Sequence, residues 1–118
     1  MLYMLLIYAN EAEWNACSAA EQAAVMHEHS ELERELRQAG KYKGCGALQC
    51  TDSATTVRVR AGKTLVSDGP FAETKEQFGG YYIVDARDLD DAMSIATRIP
   101  TARSGTIEVR PVADMHAA

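Results

Sequence analysis

The 118-residue sequence has little cysteine: Cys17, Cys45 and Cys50, an odd number with no C-x-x-C pair. That excludes a disulfide framework and a standard zinc module, and it fits reduced thiols in a cytoplasm. Long apolar runs are missing too. The opening MLYMLLIYA is too short to span a bilayer and lacks the basic leader of a secretory signal. Positive charge is scarce, with twelve Lys and Arg against seventeen Asp and Glu, a net charge of −5. This excludes nucleic acid or an anionic membrane as the main partner, because both need clustered cations. Arg58 and Arg60 form a local basic pair but no stripe. The triplet Gly62-Lys63-Thr64 is no phosphate loop: the position five residues before Gly62 must be glycine and is Val57. The sequence contains no internal repeat, low-complexity tract or linker, so residues 1–118 read as a single domain.

What is present is a succession of short patterned segments. Leu2–Ala9 is apolar at both alternating sets of positions, as in a strand covered on both faces. A helix follows. Ser18 and Glu21 have capping-box spacing, and Gly40 supplies the stop. Val25, His29, Leu32, Leu36 and Ala39 form its inner stripe, while His27 faces water. Lys41–Gln49 reads as a weaker strand, softened by Gly44 and Gly46. Ala54–Arg60 alternates and is rich in β-branched residues; Ala61-Gly62-Lys63 turns the chain, and Thr64–Ser67 returns it as a hairpin. Gly80–Ala86 is another strand. Asp88 caps a second helix with Asp91 in its first turn, a buried stripe of Leu89, Ala92, Ala96 and Ile99, and Pro100 as its end. Gly105–Val112 is the last strand, with Ile107 and Val109 on one side, Glu108 and Arg110 on the other, and Pro111 marking an edge.

The order β-α-β, hairpin, β-α-β predicts an α+β domain on the ferredoxin-like split βαβ plan with an inserted β-hairpin. Two helices cover only one face of a four-stranded sheet, yet Leu2–Tyr8 and Tyr81–Val84 are apolar on both faces. The second face therefore predicts a homodimer packed sheet to sheet.

Among residues able to carry chemistry, His29 is the sharpest. It occupies an apolar stripe, where a half-buried imidazole can titrate near neutrality and act as acid or base; the plainer reading is a core histidine satisfied by a carbonyl. Asp68 precedes Gly69-Pro70-Phe71, ordinary turn chemistry that would also hold a carboxylate at a fixed place beside a strand end. Glu73, Thr74, Lys75 and Glu76 read as a solvated loop or, beside a pocket, as substrate contacts. Tyr81 and Tyr82 fall on opposite sheet faces, and one hydroxyl could reach a pocket. Gly79 and Gly80 permit unusual backbone angles or the close approach of another strand. Cys45, Cys50, His29 and Asp68 match no standard metal spacing, so no metal or cofactor is expected.

The run DGPFAETKEQFGGYYIVDA (Asp68–Ala86), with MLLIY upstream, ATTVRVR before it and GTIEVRPV after it, resembles the DGPF branch of the YCII-related family over about Leu2–Val112. The resemblance implies a dimeric α+β barrel of ferredoxin-like subunits and a His-Asp pair in a cleft. His29 matches the family histidine. The family's aspartate precedes a proline after the second helix, where this sequence has Ile99-Pro100. Asp68 is the replacement carboxylate expected here, with Tyr81, Glu73 and Lys75 as substrate contacts. Two functions follow: cofactor-free proton abstraction or elimination on a small polar or aromatic molecule, or a non-catalytic metabolite-binding or regulatory module. The resemblance also implies an association with extracytoplasmic-function sigma factors.

Overall fold

The structure, a computed structural model, describes residues 1–115. Strand β1 (Leu2–Ala9) leads into a short helix α1 (Glu11–Ala16) and the long helix α2 (Ala19–Gln38). Strand β2 (Tyr42–Ala47), a 3-10 turn at Thr51–Ser53 and the hairpin strands β3 (Thr55–Arg60) and β4 (Lys63–Asp68) follow. Strand β5 (Gln77–Asp85), helix α3 (Leu89–Ala96), a 3-10 turn at Pro100–Arg103 and strand β6 (Thr106–Pro111) complete the order. The fold is α+β. The main sheet has the order β2-β5-β1-β6, and β3 pairs only with β4. Each adjacent pair in the main sheet is antiparallel. No helix among the described residues is long and apolar enough to cross a membrane.

Local signals set the boundaries of α2. The Ser18 hydroxyl accepts from the Glu21 N–H at 3.1 Å, and the Glu21 carboxylate accepts from the Ser18 N–H at 3.1 Å, a reciprocal capping box. At the other end Gly40 takes φ 72°. The N–H of Gly40 donates to the Arg37 carbonyl and that of Lys41 to the Leu36 carbonyl, the paired closure of a Schellman stop. Leu32 and Leu36 are buried and Val25 and His29 half-buried. Ala39, the C-cap at the end of the helix, is exposed and so is corrected out of the expected stripe. Helix α1 was not foreseen: Asn10 caps it by accepting from the Glu13 N–H at 3.0 Å.

In α3, Ala92, Ile95 and Ala96 are buried, with Ile99 just beyond, whereas Leu89 at its start is half exposed. The expected place of Leu89 in the stripe is therefore corrected. Asp91 is the charged residue in the core. Both its carboxylate oxygens accept from Lys41 Nζ, at 2.9 and 3.1 Å, and one also accepts from the Arg87 N–H at 3.0 Å. These bonds tie the start of α3 to the start of β2 and hold the carboxyl down at a pKa of about 2.

Helices α2 and α3 lie on one side of the sheet. Tyr3, Leu5, Tyr82 and Val84 point into that core with Leu32, Leu36, Ile95 and Ile99, and Ile107 and Val109 pack at its margin. On the opposite face the register sets Met4 beside Ile83 and Leu6 beside Tyr81. These side chains are only half-buried, and Leu2 beyond them is exposed. The Tyr81 ring lies over Gly46, where an added Cβ would stand 2.8 Å from it. Glu108 and Arg110 face the same open side opposite Leu6 and Met4, and β6 is an edge strand, as its Pro111 predicts.

The hairpin stands apart. Ala61 (φ 50°) and Gly62 (φ 76°) both have positive φ, the two-residue type I′ geometry. Its residues are exposed almost throughout.

Candidate functional site

His29 sits in the middle of α2, where the apolar stripe turns it toward the sheet. Its Nδ1 lies 2.7 Å from the Tyr82 hydroxyl on β5. The rings are stacked, with centroids 5.9 Å apart and planes 15° apart. Burial lowers the His29 pKa from its ordinary 6.5, against a smaller opposing effect of the Glu28 carboxylate. The imidazole is therefore neutral at pH 7. Burial also raises the Tyr82 phenol, so it stays protonated.

A second polar group lies along the same seam. Cys45 is the register partner of Tyr82. The Tyr42 hydroxyl donates to Cys45 Sγ at 3.2 Å, and Cys45 Sγ lies 3.7 Å from a Glu33 oxygen. Glu33 is one helical turn beyond His29. The Tyr42 hydroxyl lowers the Glu33 pKa, and the Arg37 guanidinium stacks 4.1 Å above the Tyr42 ring. Glu33 and Tyr42 were not singled out from the sequence. The usable signal was the four-residue spacing from His29.

The connection from β2 to β5 lies at the end of the sheet where β1 leaves for α1, as the topology predicts. The Thr51 N–H and hydroxyl donate to the two Glu11 carboxylate oxygens at 2.7 and 2.8 Å. The Glu11 N–H donates to the Gln77 side-chain oxygen at 2.9 Å, and Gln77 Nε2 donates to the Thr74 carbonyl at 2.6 Å. Asn10 Nδ2 reaches the Lys75 carbonyl at 3.4 Å. These bonds frame an open cleft of about 350 Å³ lined by Thr51, Asp52, Pro70, Glu73, Thr74 and Gln77.

The expected residues thus fall into separate groups. Glu73 lines the cleft, and Lys75 is on the same connection with its carbonyl bound to Asn10. Asp68 ends β4, exposed, where the next residue, Gly69, has φ 93°. Tyr81 is on the open sheet face, away from Tyr82. No hydrogen bond or ion pair among the described residues joins His29 to Asp68. His29 stands ten residues inside α2, about 15 Å along the axis from its start. Ile99, where the resemblance would set an aspartate, is wholly buried. Among the described residues no three His, Cys, Asp or Glu side chains are grouped to hold a metal, so Cys45, Cys50, His29 and Asp68 do not form a set.

A family model described as the YCII-related domain matches residues 1–116. An uncharacterised protein of Rhizobium meliloti (strain 1021) is 43% identical over 115 residues, covering 96% of this chain and 93% of its own length. With the match running through all three helices, the hairpin and all four strands of the main sheet, the chain belongs to the YCII-related family.

Proposed function

We propose that the chain is one subunit of a homodimer that binds a small polar molecule. In this reading the sheet follows the ferredoxin-like split βαβ plan, and a second copy closes it into a dimeric α+β barrel. The plan is supported by the strand order: β1 and β2 run parallel with β5 between them, and β5 and β6 run parallel with β1 between them. Pairing is supported by the open sheet face, where Leu2, Met4, Leu6 and Ile83 have no helix over them.

The observation that carries binding ahead of chemistry is the separation of the groups. His29 Nδ1 is engaged by Tyr82 in the middle of α2, while the anchored polar cleft with Asp52 and Glu73 lies at the end of the sheet where β1 leaves for α1. Two carboxylates, two threonines and a glutamine amide favour a ligand with a cationic or hydroxyl group. A second reading keeps His29 as general base, because burial holds it neutral at physiological pH. Asp68, Tyr81, Glu73 and Lys75 would then contact or orient a substrate. The sigma-factor association implied by the family resemblance would be an addition made through the same exposed surfaces.

Amide NMR spectra titrated with ethanolamine, glycerol and catechol test the choice. Binding predicts ethanolamine shifts confined to Thr51, Asp52 and residues 72–77, lost in Glu73→Gln. Shifts centred on His29 and Tyr82, or conversion of a probe, would replace binding with acid–base chemistry. Light scattering that gives a monomer at micromolar concentration would remove the dimer.

A further inference from the structure

The β3–β4 hairpin is a ribbon without a body to lie on. Among the described residues neither strand packs extensively along any element but the other. An isolated two-stranded ribbon is marginal in water and needs something to cover it. The chain is spread accordingly, with a radius of gyration of 16.4 Å, where a compact domain of this length has about 13–14 Å.

The two faces of the ribbon differ. The register pairs Val57 with Val66 and Val59 with Thr64, so three valines share one face. Arg58, Arg60, Lys63 and Leu65 share the other. Val57, Val59 and Val66 are 60%, 59% and 63% exposed, and Phe71, just past the base of the ribbon, is 80% exposed. Such a strip of β-branched side chains, alternating along β3 with the polar Thr56, Arg58 and Arg60, is the pattern of a half-buried strand surface.

We propose that the hairpin is an intersubunit arm whose Val57–Val59–Val66 strip packs on a second copy of this chain, beside the open sheet face. Two observations select a second copy. The first is charge. Residues 55–68 carry three cations and one carboxylate, +2, while the remaining residues carry nine cations and sixteen carboxylates, −7. The arm is attracted to the body of another copy, with its cationic face left in water above an acidic surface. The second is self-complementarity. One chain presents both an uncovered apolar strip and an uncovered apolar sheet face, and a two-fold axis covers both at once without leaving open ends. The arm rests on the homodimer reading above and adds to it a second, separable contact.

Hydrogen exchange followed by mass spectrometry at several protein concentrations, with light scattering alongside, tests the arm. Amides of residues 56–67 are expected to be protected in the dimer and to exchange freely on dilution to monomer. Val57→Lys with Val66→Lys, both at exposed positions of the single chain, should weaken dimerisation at least tenfold. It should also abolish arm protection while the core amides stay protected. Leu6→Lys on the open sheet face should likewise release the arm. A dimer whose arm exchanges freely, and whose affinity ignores the valine substitutions, would overturn the arm and leave the homodimer standing. A monomer would overturn both, and arm protection in a monomer would show that the arm folds on its own chain. Loss of the dimer on adding salt without any arm protection would also overturn the proposal, because it would assign the arm's charge to steering alone.

Discussion

His29 and Tyr82 are joined across the seam between α2 and β5 by a 2.7 Å contact from Nδ1 to the phenol oxygen, their rings nearly parallel. The contact satisfies a polar ring inside an otherwise apolar stripe. It also fixes which imidazole nitrogen remains for any other partner, since only Nε2 is left.

Burial predicts that the His29 imidazole titrates with a midpoint below 6.5, to be checked by following its ring proton shifts in NMR. The unfolded chain binds a proton near 6.5 and the folded chain does so only at lower pH, so unfolding takes up a proton in that window. Stability is therefore full above about pH 6.5 and falls as pH drops toward the folded midpoint. Tyr82→Phe should cost about 1–3 kcal/mol in denaturant unfolding, because a partly buried ring nitrogen loses its partner. A titration midpoint above 6.5 would show that the charged form is the favoured one.

Asp91 makes a second, lower pH window. Its carboxyl is held at about 2 against an ordinary 3.8 by Lys41 first and the Arg87 N–H next. The stability from this clamp is present above about pH 4 and is lost as pH falls through about 2. Asp91→Asn should lower the melting temperature by several degrees at pH 7 and less at pH 2, where about half of the native carboxyl is itself protonated. An equal loss at both pH values would mean that the shape of the side chain matters and its charge does not.

Position 99 tests whether a carboxylate could be accommodated where the resemblance would set one. Ile99 is among the largest wholly buried side chains, with its N–H bonded to the Ala96 carbonyl. Ile99→Asp exchanges about 1.5–3 kcal/mol of buried apolar surface for a desolvated carboxyl group. A destabilisation of more than about 3 kcal/mol is expected in urea unfolding. A folded, stable Ile99→Asp variant would mean that this position reaches solvent or a cationic partner.

The strands and the α2 boundaries were legible in the sequence because each has a local cause. Capping geometry at Ser18, the positive φ of Gly40 and the alternation in β3 act over a few residues. Ala39 and Leu89 were misplaced because a stripe continued by spacing alone ignores where the helix ends run past the core. The His29–Tyr82 contact was half legible. The spacing put His29 inward and split the two tyrosines between faces, but which tyrosine met it depended on the β1–β5 and β2–β5 registers. The lining of the cleft by Thr51 and Asp52 was not legible. It depends on Glu11, forty residues before Thr51, gripping the chain after β2.

The neighbouring glycines at 79 and 80 separate two uses of a missing side chain. Both lie within β5, and neither has positive φ. A Cβ on Gly80 would stand 2.7 Å from the Gly46 carbonyl oxygen of the adjacent strand, and that backbone cannot move without breaking the β2–β5 ladder. A Cβ on Gly79 meets nothing within 4 Å. Gly80→Ala should therefore destabilise the fold by about 1–3 kcal/mol, the usual range for overpacking. Gly79→Ala should be neutral or stabilise by up to about 1 kcal/mol, because it restricts the unfolded chain at no cost to the folded one. Urea midpoints of the two variants decide the matter. If Gly79→Ala is the damaging one, the pair acts as a hinge that needs the freedom of Gly79. If Gly80→Ala is the damaging one, close strand approach explains the pair and no hinge is required.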